Sequence, residues 1–220
     1  MSWVESERGL NFIGDEAVLL IMNRAEFFAL LEPFLAPSTL LDVQVAYTFA
    51  KFGHRAQVRK ETDADGKPVR YFEHVRRVAI NVVQDAKIVL PELIIAALIH
   101  DGLEDTRDIT PEMTEHLFGK EVVLLVKTLS KCPEEGYLER FHMCTDWRAY
   151  VIKACDRLDN LRSLSQASPE FQAKQIKETR AKYYDLFDRM VTLTPPEYKV
   201  RVQALRDAII KQTEGHRISP

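Results

Sequence analysis

The chain has 220 residues, 46% of them apolar and 29% charged, with a formal net charge of −3 at neutral pH. That length and balance describe a globular domain with a substantial core. They argue against a general nucleic-acid binder, which would carry a marked basic excess. The longest apolar runs, Ala17–Met22 and Leu93–Ile99, fall far short of the ~20 residues of a membrane-spanning helix.

In chain order, the amino terminus "MSWVESERGL" is acidic and polar, with neither the basic nor the apolar region of a secretory signal. Residues 1–37 read as an extension packing on a domain that occupies 38–215. Apolar residues recur at spacings of three and four, as in Val75, Val78, Ala79 and Val82, or Ala154, Leu158 and Leu161. Helices are expected at about 15–34, 39–57, 71–84, 91–103, 111–130, 146–166, 169–191 and 196–213. Three helix starts combine a hydroxyl cap, a first-turn proline and a carboxylate: Thr110-Pro111-Glu112, Ser168-Pro169-Glu170 and Thr194-Pro195-Pro196-Glu197. The charged segment Glu61–Pro68 reads as a loop, and 132–145 as a second irregular stretch. No alternating strand pattern stands out, so the fold class is all-α, a compact multi-helix bundle. The three cysteines, Cys132, Cys144 and Cys155, form no CxxC pair. They fit buried or half-buried thiols in a reducing cytoplasm.

The chemistry concentrates at "IHDGLEDT", residues 99–106, directly after the apolar run. Unpaired buried charge is costly, so this end is either wet or faces a cation. If the helix continues, His100 lies one turn from Glu104 and Asp101 one turn from Asp105. Imidazole nitrogen and carboxylate oxygen both suit a borderline divalent metal. Further ligands are available in His74, beside the Val75 stripe, and in Asp156, which shares a polar row with Asn160 and Ser163. Each group taken singly has a plainer reading. His74 fits a hydrogen-bonded core histidine, Asp156 a solvated helix face, and Glu104 and Asp105 exposed acids. Their joint occurrence in order is what singles them out.

That order, His74, His100-Asp101, Asp156, resembles the HD phosphohydrolase superfamily, and four blocks narrow the likeness. "AYTFAKFGHRAQVRK", "AALIHDGLEDT", "LFGKEVVLLVKTLSK" and "KACDRLDNLRSL" resemble segments of the RelA/SpoT-type (p)ppGpp hydrolases, in the same order over about residues 43–165. The resemblance implies an all-α fold and a stand-alone small alarmone hydrolase of the cytoplasm. Its activity would be metal-dependent removal of the 3′-pyrophosphate from guanosine tetra- and pentaphosphate. It implies one divalent ion, typically manganese, held by His74, His100, Asp101 and Asp156. Glu104 and Asp105 match the acidic pair that orients or deprotonates the attacking water. Arg59 matches the arginine that packs on the purine, with Lys60 beside it, while Asn160 and Ser163 match positions lining the nucleotide pocket. Arg157 and the arginines of "HVRR" would either touch substrate or make structural ion pairs. The implied partner is a purine nucleotide 3′-pyrophosphate, with no nucleic acid and no membrane.

The chain departs from the pattern at several places. His74 is followed by valine where the family has proline, Ala56 replaces a glycine, and Asp159 replaces a frequent histidine. The stretch between Arg59 and His74 is longer by the charged loop "TDADGKP". Arginine stacking reads a purine better than it reads guanine, so the adenine analogues (pp)pApp are an alternative substrate. Another nucleotide phosphohydrolase activity, or a non-catalytic nucleotide-binding module, completes the set of readings.

Overall fold

The computed structural model describes residues 22–63 and 65–215, so the part of the first expected helix before residue 22 lies outside the described residues. Helix α1, Arg24–Leu31, starts at a reciprocal cap in which Asn23 accepts from the Glu26 amide and Glu26 accepts from the Asn23 amide. Its Phe27, Phe28 and Leu31 are buried in the common core, with both rings against Tyr47 of α2, Pro37–Gly53. A short antiparallel hairpin follows, β1 (Val58–Thr62) with β2 (Pro68–Arg70). Next come α3 (Tyr71–Gln84), α4 (Pro91–Ile99), the single turn α5 (Gly102–Asp105), α6 (Pro111–Leu129), α7 (Tyr137–Met143) and α8 (Trp147–Arg162). The chain closes with α9 (Pro169–Glu178), α10 (Tyr184–Leu193) and α11 (Pro196–Gly215).

Helix α4 is apolar on every side, and Leu93 to Ile99 are all buried. A helix of that kind belongs inside a bundle, and α4 packs against α2, α3, α6 and α8. Helix α8 packs against α3 and also against α10 and α11. The α3–α4–α8 junction, at the carboxyl end of α4, is where the functional side chains meet.

Most expected helices appear near their expected ends. Pro111, Pro169 and Pro196 do begin helices, and Thr110 and Ser168 accept from Met113 and Phe171 amides. Thr194 behaves differently. Its hydroxyl donates back to the Met190 carbonyl and closes α10 instead of opening α11. The expected helix 169–191 is interrupted by a π-helical turn, Thr179–Tyr183, and α6 kinks at Gly119, whose φ of 82° a side chain would resist. Two elements were not expected. Strand β1 has only Glu61 buried, so it shows no apolar alternation to read. Helix α7 lies inside the stretch read as irregular, anchored by Tyr137 and Phe141.

Candidate metal centre and adjoining cleft

Helix α3 presents His74 inward, one turn after Tyr71. Its Nε2 lies 3.5 Å from Asp101 Oδ2 and 3.4 Å from Asp156 Oδ1. The His100 ring packs edge to face against it with centroids 5.5 Å apart. His74, His100 and Asp101 bring ligand atoms within 4.8 Å of one another, and Asp156 of α8 joins them through His74. The residues come from three separate parts of the chain, and both Asp101 and Asp156 approach His74 Nε2.

The chain does not continue as helix through this point. Helix α4 stops at Ile99, and Asp101 precedes the separate turn α5. Gly102 lets the Ile109 side chain pack closely against α5: a Cβ there would stand 2.8 Å from Ile109 and 3.3 Å from Ile99. Asp105 still donates its amide to the Asp101 carbonyl, so the one-turn relation survives.

Hydrogen bonds fix both rings. His100 Nδ1–H donates to the Ala97 carbonyl at 2.8 Å, which leaves the lone pair on Nε2. Among the described residues that buried Nε2 makes no well-formed hydrogen bond, yet it faces Asp101 Oδ2 at 3.2 Å. A lone pair and a carboxylate oxygen facing each other in a buried site fit a cation between them. His74 Nδ1–H donates to Asp159 Oδ2 at 2.7 Å, again turning Nε2 toward Asp101 and Asp156. Burial and the Arg59 charge lower the His74 pKa, but Asp101, Asp156 and Asp159 outweigh both and raise it to about 10. A metal ion would compete with that proton.

The carboxylates are correspondingly acidic. Burial opposes ionisation of Asp101, but the two imidazoles hold it well below the usual range. Burial likewise opposes ionisation of Asp156, and Lys153 then His74 overcome it. Lys153 donates to Asp156 Oδ2 at 2.9 Å, Asn160 donates to Asp156 Oδ1 at 2.6 Å, and Tyr71 O–H donates to Asp101 at 2.8 Å. Two imidazoles and two carboxylates with no thiolate suit a hard or borderline divalent ion.

Glu104 and Asp105 sit beside this cluster. The Lys131 amide and ammonium hold Glu104 at 2.9 and 3.2 Å. The Asp105 carboxyl is raised above its ordinary value by burial and then by the Asp101 charge. Its backbone carbonyl accepts from Gln57, whose own carbonyl pairs with His54 Nδ1.

A cleft of about 360 Å³ opens next to the cluster, lined among others by Arg59, Lys60, Tyr71, Asn160, Ser163 and Phe171. Arg59 donates to Asn160 Oδ1 at 2.8 Å and lies over the Tyr71 ring. The Lys60 ammonium lies over Phe171, and the Ser163 hydroxyl donates to the Asn160 carbonyl. Arg157 is not among the lining residues. It stacks on Tyr183 and donates to Gln175, which does line the cleft. The "HVRR" arginines make ion pairs, Arg76 with Glu73 and Arg77 with Glu61 and Asp159.

Sequence reasoning missed Tyr71, Lys153, Lys131 and Asp159 as partners of the cluster. Lys153 lies three residues from Asp156, so helical spacing alone could have found it, while Asp159 meets His74 and Arg77 of another helix and has no such local signal. Tyr71 likewise lies three residues before His74, whereas Lys131 carries no such signal, because tertiary packing brings it in.

A family model described as "HD domain" matches residues 46–190. The chain belongs to the HD domain family. Like other HD domain proteins it carries a His/Asp cluster able to take a divalent metal. Relatives include the guanosine-3′,5′-bis(diphosphate) 3′-pyrophosphohydrolase of Aquifex aeolicus, 35% identical over 70% of this chain and 22% of the relative. The bifunctional (p)ppGpp synthase/hydrolase SpoT of Escherichia coli is 31% identical over 73% of this chain and 23% of its own. This HD domain chain thus spans under a quarter of those proteins. A solved structure of a metazoan SpoT ortholog that hydrolyses ppGpp superposes with a TM-score of 0.53 at 28% identity. That match covers 74% of this chain and 93% of the other. Among the described residues no helix is long and apolar enough to cross a membrane.

Proposed function

We propose that this HD domain protein removes the 3′-pyrophosphate from guanosine tetra- and pentaphosphate, acting in the cytoplasm on a soluble nucleotide. Its hydrolase unit would be residues 38–215, with 1–37 as an extension whose described part packs on it through α1, while residues 1–21 lie outside the described residues. The observation that carries the reading is the buried His100 Nε2 facing Asp101, with His74 and Asp156 alongside, at the edge of a nucleotide-sized cleft. The names of the relatives and of the superposed structure supply the substrate class.

In this reading His74, His100, Asp101 and Asp156 hold one manganese ion. When bound, such an ion lowers the pKa of water and steadies charge on phosphoryl oxygens. The chain's own groups do the rest. Glu104 or Asp105 receives the proton of the attacking water. Asp105 is suited to that by its raised pKa, and Glu104 by its fixed position against Lys131. The water oxygen bonds to the phosphorus on the ribose 3′ oxygen, that P–O bond breaks, and the 3′ oxygen takes up a proton. Lys131 and Lys153 put positive charge around the acidic centre, where a pyrophosphate carries its negative charge. Arg59 stacks on the purine, Lys60, Asn160 and Ser163 line the pocket, and Arg157 supports it through Gln175.

The test is product analysis by chromatography, with manganese present and guanine and adenine 3′-pyrophosphates offered side by side. Release of pyrophosphate from the guanine compound is the expected outcome. Exclusive turnover of the adenine compound would move the assignment to (pp)pApp, and orthophosphate alone would point to another phosphohydrolase activity.

A further inference from the structure

Behind His74, on the side away from the cluster, lies a second buried network. Asp159 Oδ2 accepts from His74 Nδ1 at 2.7 Å, and Asp159 Oδ1 accepts from Arg77 Nε at 2.7 Å. Arg77 also donates to Asp159 Oδ2 at 3.1 Å and to Glu61 Oε1 at 2.6 Å. His74, Arg77, Asp159 and Glu61 are all buried. Buried ion pairs contribute little net stability, because desolvation cancels most of the attraction. Three buried charges lined up behind one imidazole therefore need another explanation. The hairpin supplies Glu61, α3 supplies Arg77 and His74, and α8 supplies Asp159. The loop that lengthens this chain joins the two strands of that same hairpin.

We infer that Asp159, held by Arg77 and Glu61, is a positioning residue that fixes the ring and tautomer of His74 for metal binding. The inference rests on the metal-centre reading above. An ionised carboxylate only accepts, so the Nδ1 proton stays on that side and Nε2 is the nitrogen that gives up its proton and offers a lone pair to a metal. Outer carboxylates of this kind orient a ligating imidazole and raise its basicity. The guanidinium fork in turn leaves Asp159 one orientation. The network also reaches the cleft, since Arg59 Nε lies 3.9 Å from Glu61 Oε1.

Asp159→Asn tests the idea at almost constant shape. Arg77 Nε–H requires an acceptor, so the amide oxygen takes that side and the NH2 group donates to His74 Nδ1. The imidazole proton then moves to Nε2 and blocks the lone pair that faces Asp101 and Asp156. The readouts are manganese affinity by titration calorimetry and the melting temperature in chelator. The expected result is a loss of affinity of about 10- to 100-fold, the usual scale for an outer-sphere carboxylate. Glu61→Gln, one step further out, should lose less in the same direction. Wild-type affinity in folded Asp159→Asn, even with a lowered melting temperature, would make the network purely structural and overturn the inference. If Asp159→Asn does not fold, unchanged affinity in Glu61→Gln overturns it equally. A parent protein that binds no manganese would sink the metal-centre reading itself, a different failure from these.

Discussion

His74 is 1% exposed and touches three carboxylates, whereas Lys60, on the cleft wall, is exposed and has its ammonium over the Phe171 ring. The two regions share α8 and lie side by side, yet they are built differently. In the proposed metal centre each candidate ligand is fixed by a further partner: Asp159 behind His74, Ala97 behind His100, Tyr71 behind Asp101, Lys153 behind Asp156. In the cleft, Arg59 and Ser163 converge on a single residue, Asn160, and the wall includes the exposed Val58 and Lys60. A site that keeps an ion needs preorganised ligands, and a site that exchanges a nucleotide needs open surface. Substitutions in the first region should therefore cost binding and fold together. Those in the second should move substrate affinity alone.

The largest effect should come from Asp156→Ala. It removes a candidate ligand and strands the buried Lys153 ammonium, which donates to Asp156 Oδ2 at 2.9 Å. Breaking one side of a buried pair costs on the order of 3 kcal/mol, about 6–12 °C of melting temperature at this chain length. Turnover and manganese binding should both vanish. Asp156→Asn, which leaves Lys153 an acceptor, should lose the metal while melting closer to the parent. Calorimetry and thermal melts check both variants, and an Asp156→Ala protein that still binds manganese would remove Asp156 from the ligand set.

Adding the ion should come next in size. A ligand bound only by the folded state stabilises it by about 2.7 kcal/mol at 100 times its dissociation constant, or roughly 5–10 °C here. A melting temperature indifferent to manganese, and lowered by no chelator, would break the comparison at its root. In the cleft the scale is smaller. Arg59→Ala should raise KM about tenfold, from roughly 1.4 kcal/mol of lost stacking, with little change in kcat. An effect confined to kcat would move Arg59 out of the cleft and into the chemistry.

The same contrast explains what the amino-acid sequence revealed. The helices were legible because α3 and α8 carry apolar periodicity and α4 is a continuous apolar run behind Pro91, signals that are local. His74, His100, Asp101 and Asp156 were legible as candidates because their order and residue types carry the pattern. Their convergence could only be expected, since no local signal fixes how α3 crosses α8. The hairpin was invisible because its inward residue is Glu61, a charge satisfied by Arg77 rather than an apolar contact. Asp159 was passed over as a replaced histidine. Its meaning depends on Arg77, 82 positions away in the chain.

The smallest effect should come from the start of the helix that joins both regions. Asp146 caps α8 by accepting from the Arg148 amide and guanidinium at 3.0 Å. Burial raises its pKa, but the Arg148 hydrogen bonds outweigh that and hold it below the ordinary value. A depressed carboxyl stabilises the fold at pH values above its unfolded pKa, and that contribution is lost as pH falls through its folded pKa. Asp146→Ala should thus cost about 1 kcal/mol at neutral pH, the usual worth of a cap, with the difference shrinking below about pH 4. The Asp146 side chain is 34% exposed, so solvent screening keeps the ion pair with Arg148 a minor part of this. Manganese affinity should not change, because the candidate ligand Asp156 sits almost three turns further along α8. Denaturant titrations at pH 7 and pH 3.5 read the first outcome and calorimetry the second. A metal affinity that fell with the cap would mean that α8 transmits strain from its first turn to the centre, making the whole helix part of the site.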